Sequence, residues 1–560
     1  MNETFWKDKL PKDIPQTIDS HQYESILSVF NDSCRKFSNK IAFTNLGYSL
    51  TFKELDHLSA NFAAYLQNET TLKPGDRIAI QLPNVLQYPI VLFGAMRAGL
   101  VVVNTNPLYT ATEIEHQFND SGVKGLVVLA NMAHVVQEVI TRTPVENVII
   151  TELADVLPQP KRFIINSVVK YIKKMVPAYS LPNSVQFTKA LKLGEKYTMK
   201  EATPKGEDVA VLQYTGGTTG VAKGAMLTHT NIVSNMLQVQ AMLGADLKEG
   251  SEIMIAPLPL YHIYSFTVSC LGMIKSGNNC VLITNPRDIP GFVKELEAFN
   301  GKFSYFVGLN TLFVALCNDE DFKGLDFSAL HNTVSGGMAL QKAVAERWQE
   351  VTGCQIGEGY GMTEASPVVT VNPPSAVKLG TIGLPVPSTE LKVIDDEGND
   401  LPIGEAGELC CRGPQVMKGY WQRPDATAKT ITEDGWLKTG DVAVIMEDGY
   451  SKIVDRKKDM IIVSGFNVYP NELEDVLVTH PDVLECAAVG IPDETTGEQI
   501  KIFVVTNNSG LSVEDVRSFM RERLTAYKVP KMVEFRDDLP KTNVGKILRR
   551  ELRDQEVVAA

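Results

Sequence analysis

Apolar and polar positions follow one rhythm through the first 380 residues and another after about Thr389. Between residues 25 and 150, short apolar runs take turns with helix-like stretches. Thr51 followed by Glu54 predicts a helix start, with the hydroxyl capping the first turn and the carboxylate reaching back. Residues 77–82 read as a strand, followed by an apolar helix through Ala98. Residues 99–104, 125–129 and 145–150 read as further strands. Such alternation predicts βαβ units and a largely parallel sheet. The run 209–213 predicts a short buried strand that dissolves into glycines and threonines. Segment 253–264 leaves a strand at Pro257 and Pro259 into an aromatic corner. Residues 303–308, 334–338 and 356–364 are strands, the last two ending in Gly-rich turns. Ligands bind where strand ends of doubly wound sheets release such turns.

After Thr389 strands shorten and turns crowd in, at 395–398, 404–407 and 448–449. That texture predicts a small β subdomain over 388–454. Charge is then concentrated in 453–459. Helices are expected at 471–478 and 513–524, with strands at 485–490 and 500–505. The expected fold is therefore α/β: a large N-terminal domain (1–454) of doubly wound sheets carrying the small β subdomain, and a small α+β C-terminal domain (455–560).

A chain of 560 residues exceeds one core, and its 44% apolar and 22% charged content is that of a soluble globular protein. A net charge of −13 argues against a nucleic-acid-binding surface, though not against one nucleotide in a local site. The eight cysteines form no C-x-x-C pair and read as reduced, scattered thiols. The first residues carry charge rather than an apolar signal core, and no window approaches the roughly 20 apolar residues of a membrane span. The expectation is a cytoplasmic protein. Between Val156 and Gly194 stand seven basic residues and no acidic one. There Phe163, Ile164, Val168, Ile172 and Val176 fall near helical spacing. A basic amphipathic helix can lie on an anionic membrane face or pack its stripe on its own domain, and both readings stay open.

The candidate chemistry centres on 214–224. Glycines let main-chain N–H groups approach a ligand, and successive N–H groups make an anion-binding concavity. Thr215, Thr218 and Thr219 add hydroxyls, and Lys223 adds charge. The loop is not the common nucleoside-triphosphatase loop, because Ala222 and Gly224 stand where that motif needs Gly and Ser or Thr.

With 214–224, the segments 360–364 (Tyr-Gly-Met-Thr-Glu), 435–441 (Gly-Trp-Leu-Lys-Thr-Gly-Asp), 455–459 (Asp-Arg-Lys-Lys-Asp) and 540–546 (Pro-Lys-Thr-Asn-Val-Gly-Lys) follow in order. In these motifs the chain resembles the adenylate-forming superfamily. Segments 434–441 and 455–458 look like the signature of its fatty acyl-CoA synthetases, above all the bacterial long-chain fatty-acid–CoA ligases. Ala222 replaces the superfamily's usual Pro, and Thr230 replaces the Arg of its His-Arg-Asn. The resemblance implies a ligase that uses ATP and CoA as co-substrates and Mg²⁺ as cofactor on a long-chain fatty acid, through an acyl-adenylate. It implies phosphate contacts from Thr215, Gly216, Gly217, Thr218, Thr219, Gly220 and Lys223, with Thr215 and Glu364 as metal ligands. Gly336, Gly337, Glu358, Gly359, Tyr360, Gly361, Met362 and Thr363 would shape the adenine pocket, with Tyr360 stacked on the base. Asp441 would hold the ribose hydroxyls, with Arg456 near ribose and phosphate. Lys546 would stabilise the adenylation transition state. Asp455 would be the hinge on which a mobile C-terminal domain rotates to present Gly465, Phe466 and Asn467 to CoA. His262 and Gly337 would border the acyl site. A ligase with another acid or acceptor, and a nucleotide sensor without catalysis, are the alternatives. A homodimer and a peripheral contact with the inner membrane surface stay open.

Overall fold

In the computed structural model the Thr51 hydroxyl accepts from the Glu54 amide, and the Glu54 carboxylate accepts from the Thr51 amide. Helix Phe52–Glu69 therefore begins where the pattern puts it. The same reciprocal cap starts helices Ala111–Ser121, through Thr110 and Glu113, and His229–Leu243, through Thr228 and Asn231. The structure describes residues 5, 6, 8–215, 222–244, 247–464, 466–493, 496–541 and 547–559, the last three without side chains.

Two large sheets carry the N-terminal part. In the seven-stranded sheet, Val185–Gln186, Asn147–Thr151, Val123–Leu129, Arg77–Gln81, Val101–Asn104 and Val209–Thr215 run parallel in that order. Lys223–Thr228 closes the edge antiparallel to Val209–Thr215. In the nine-stranded sheet a parallel centre, from Ile356–Gly361 through Asn332–Gly336, Tyr305–Gly308, Ile253–Ala256 and Asn279–Leu282 to Ile41–Asn45, is flanked by antiparallel edge strands. One core joins both sheets. It includes Val102 and Val211 from the first, Met254 and Cys280 from the second, and the wholly buried helix Gln87–Arg97. That helix is apolar all round because it packs on all sides.

Beyond them lies an antiparallel four-stranded sheet, Glu390–Ile394, Ala406–Arg412, Leu437–Ile445 and Ser451–Arg456, whose core also takes Trp6. A five-stranded sheet follows, built on the long pair Val483–Asp493 and Gly497–Thr506, with its own core around Leu473, Ala488 and Ile502. This is the α/β architecture expected, with mixed rather than purely parallel sheets. All eight cysteines are free and buried.

The last helix starts at Arg549, after a bridge between Ile547 and Lys541. One local expectation shifts. The amphipathic segment is helical over Lys161–Ser167 and continues as a π-turn over Val168–Ile172. The wider turn changes which residues face inward. Ile165 packs on the core and Val169 is buried, while Phe163, Ile164, Tyr171, Ile172 and Met175 are exposed. Among the described residues no helix is long and apolar enough to cross a membrane.

Candidate active site

The Gly/Thr loop is the tip of a hairpin. Thr215 and Lys223 are register partners at its base, so the return strand begins at the lysine itself. Gly216, Gly217, Thr218, Thr219 and Gly220 lie outside the described residues. Gly224 lies under the Tyr214 ring, where a Cβ would come within 3.0 Å of it. The Lys223 ammonium sits 5.1 Å from the Tyr420 ring centroid.

A second wall comes from two parallel strand ends. Gly336 pairs with Gly359, and Ser335 with Glu358, so the two glycine-rich stretches lie side by side. Gly337 has φ +84, a left-handed value that a side chain would strain. A Cβ on Gly361 would stand 2.1 Å from the Pro367 carbonyl oxygen, so only glycine fits there. The Met362 amide donates to that same carbonyl. Thr363–Ala365 then form a 3-10 turn that the strand Lys223–Thr228 packs against. The turn carries Glu364, whose side chain is buried and accepts from the Tyr420 hydroxyl at 2.6 Å. Burial pushes the Glu358 carboxyl up to about 8.

Tyr360 and Asp441 meet directly. The Tyr360 hydroxyl donates to Asp441 Oδ2 at 2.6 Å, and Arg456 Nε approaches Asp441 Oδ1 at 3.5 Å. Asp441 and Arg456 are also register partners across adjacent strands. One carboxylate thus joins the tyrosine of one sheet to the arginine of another. Burial pulls His262 down to about 4, so its imidazole is neutral at pH 7. Its Nδ1 accepts from the Tyr264 amide at 3.3 Å. The Tyr264 ring packs on Gly336, 3.1 Å from where a Cβ would stand.

Asp455 ends the four-stranded sheet fully buried. Oδ1 accepts from the Arg456 amide at 2.7 Å, and Oδ2 from the Asn471 amide, at the start of helix Pro470–Leu477, at 2.8 Å. Arg549 lies beside it, bonded to both Glu474 carboxylate oxygens. Phe466 is exposed on a two-stranded turn with Asn467 and stacks on Tyr527, ring centroids 4.8 Å apart. Gly465 and Lys546 lie outside the described residues.

Sequence reasoning passed over Asp120, Tyr420, Arg423 and Arg549. Their partners are 56 to 303 positions away along the chain. The only trace in the sequence is an aromatic–basic cluster at 418–423.

The candidate site thus comprises the loop stems at Thr215 and Lys223, paired glycine strand ends and a tyrosine–aspartate–arginine cluster. Residues 30–421 match the model of the AMP-binding enzyme family, and residues 472–546 that of the AMP-binding enzyme C-terminal domain. The chain belongs to the AMP-binding enzyme family. It is 54% identical to an Escherichia coli long-chain-fatty-acid–CoA ligase, over 98% of both chains. It is 38% identical to the long-chain-fatty-acid–CoA ligase of Bacillus subtilis, again over 98% of each. Its fold matches the crystal structure of the anthranilate CoA ligase AuaEII in complex with anthranoyl-AMP, with a TM-score of 0.83 and 24% identity over 100% and 99% of the two chains.

Proposed function

We infer that this protein is an AMP-forming acid–thiol ligase. It joins a long-chain fatty acid to coenzyme A, and ATP leaves as AMP and pyrophosphate. The carrying observation is end-to-end likeness, at 54% identity, to proteins named for that reaction.

The roles are assigned from the motifs the chain shares with that family. A carboxylate is a poor electrophile; joined to AMP it acquires a good leaving group. The first half-reaction needs the acyl oxygen held in line with the α-phosphorus and the charge on the departing pyrophosphate neutralised. The hairpin 215–223 holds the phosphates and Lys223 supplies charge. Tyr360 covers the base between the paired glycines, with Glu358, Gly359 and Gly361 shaping its edge. Asp441 accepts from the ribose hydroxyls, which replace or share its bond from Tyr360, and Arg456 stands beside it. Neutral His262 positions the acyl carboxylate without adding a competing charge.

The donor set near Glu364 fits magnesium. Glu364 is a buried carboxylate whose one described side-chain donor is the Tyr420 hydroxyl, and such a group suits a hard ion that would take its other oxygens from phosphate and water. Thr215 and Glu364 would hold it, and when bound it would neutralise phosphate charge. Among the described residues no group of three or more His, Cys, Asp or Glu side chains can hold a metal alone.

Lys546 delivers its ammonium to the reacting α-phosphate oxygens. CoA must then enter where that lysine stood. The domain 455–560 therefore turns about Asp455 and brings Gly465, Phe466 and Asn467 to the pantetheine. The aligned test is thioester formation from palmitate, ATP and CoA with pyrophosphate release measured in parallel. Lys546→Ala should lower adenylation by about 100-fold or more, as loss of a preorganised charge does, while ATP still binds. Palmitate losing to acetate or to an aromatic acid would overturn the substrate assignment, and wild-type turnover in the variant would overturn the lysine's role.

A second property is carried by the exposed patch on 163–175. Phe163, Tyr171 and Ile172 are 69%, 69% and 74% exposed, beside the exposed Lys170, Lys173 and Lys174. Large apolar side chains with basic neighbours suit the headgroup boundary of an anionic membrane. Lys161 and Arg162 face the body instead, bonded to the Leu46 carbonyl and to Asp155.

A further inference from the structure

Residues 418–421 run alongside the strand Lys223–Thr228, with an isolated antiparallel bridge between Ala225 and Tyr420. The Lys418 amide donates to the Met226 carbonyl, the Met226 amide to Gly419, and the Trp421 amide to Gly224, at 2.8 to 3.0 Å. The strip is anchored on its far side by Asp120 of helix Ala111–Ser121. That carboxylate accepts from Arg423 at 2.5 Å and from the Tyr214 hydroxyl at 2.7 Å, and its backbone carbonyl accepts from Trp421 Nε1 at 3.1 Å. His116 of the same helix contacts the Ala222 carbonyl at 3.0 Å. Both stems of the loop and the strip are thus clamped to one helix.

From this strip Tyr420 turns inward. Its hydroxyl lies 2.6 Å from Glu364 Oε1, and its ring lies under the Lys223 ammonium. Both Tyr420 and Glu364 are more than nine-tenths buried. No other described side chain donates to that carboxylate. A buried carboxylate needs a partner, and the choice of partner matters. A lysine or arginine there would neutralise it and compete with any cation. A tyrosine hydroxyl donates one hydrogen bond to one oxygen, leaves the charge in place and leaves the second oxygen free of that bond.

We propose that Tyr420 is a positioning residue: its hydroxyl orients Glu364 so that the carboxylate presents Oε2 to the metal–phosphate complex held by the loop. The strip's bonds to the hairpin and to Asp120 fix the distance between carboxylate and loop. The proposal rests on the reading of Glu364 as a metal ligand.

Tyr420→Phe tests it, because the ring, its packing and its contact with Lys223 are kept while the hydroxyl is lost. The readouts are manganese binding to the enzyme with a non-hydrolysable ATP analogue, followed by electron paramagnetic resonance, and kcat and KM for ATP and for palmitate. Tyr420→Phe should weaken manganese about tenfold, the order expected for losing one hydrogen bond to a charge. The KM for palmitate should stay at its wild-type value. In a Glu364→Gln background the same change should add nothing, because the two residues act as one unit. Wild-type manganese affinity in Tyr420→Phe, with Glu364→Gln defective, would overturn the proposal alone. An undiminished tenfold loss in the Glu364→Gln background would also overturn it. Wild-type manganese affinity in Glu364→Gln would overturn the ligand reading beneath it.

Discussion

Asp455 shows what a single residue in this protein has to reconcile. Burial pushes its carboxyl up to about 6, although Arg549 and two backbone amides pull the other way. The folded chain therefore holds that proton more tightly than the unfolded chain does between about pH 4 and pH 6. The resulting stabilisation is full below the unfolded value and is lost as pH rises through 6. Asp455→Asn removes this dependence. Comparing urea unfolding of the two proteins at pH 4 and pH 8, the stability difference should move in favour of the variant by up to about 3 kcal/mol. A difference that does not change with pH would show that the carboxylate is fully compensated by Arg549. The same residue's two oxygens tie the last strand of one sheet to the first helix of the next. Residue-scale chemistry was partly readable beforehand. Glu364, Tyr360 and Asp441 stand in motifs, but the bond from Tyr360 to Asp441 spans 81 positions and no motif states it.

Elements carry the next level of control. The strand Ile356–Gly361 must end tightly against Pro367 for the turn at Glu364 to form. Gly361→Ala places a methyl group 2.1 Å from a carbonyl oxygen, and backbone must move to admit it. We expect a loss of about 2 kcal/mol or more in stability and loss of adenylate formation, measured by thermal unfolding and pyrophosphate release. A wild-type midpoint would show that the strand end yields freely. A capping box made the helix start legible at Thr51, because that interaction is local. The return strand after the Gly/Thr segment was not legible. Lys223 to Thr228 becomes a strand only by pairing with Val209–Thr215 on one side and bonding to 418–421 on the other.

At the scale of the whole molecule, two sheets share one core, two smaller sheets follow, and one face is left unusually apolar. The π-turn at Val168–Ile172 turns Tyr171, Ile172 and Met175 outward. Replacing Lys170, Lys173 and Lys174 with glutamine should weaken binding to vesicles rich in phosphatidylglycerol by about 3 kcal/mol, near 1 kcal/mol per charge. Binding to neutral vesicles should change little. Equal sedimentation of wild type and variant with anionic vesicles would remove this face as the contact.

By itself the sequence determined the alternation of strands and helices, the capped helix starts, the change of texture near Thr389 and the ordered motifs of a nucleotide-using ligase. Each depends on residues a few positions apart or on motif spelling. Only the tertiary structure decided that Gly336 lies against Gly359, that Tyr420 holds Glu364, that Asp120 clamps the loop stems and that the 163–175 stripe faces outward. Those depend on strand register, on a helix turn that widens, and on contacts closed across tens to hundreds of residues, which local periodicity does not encode.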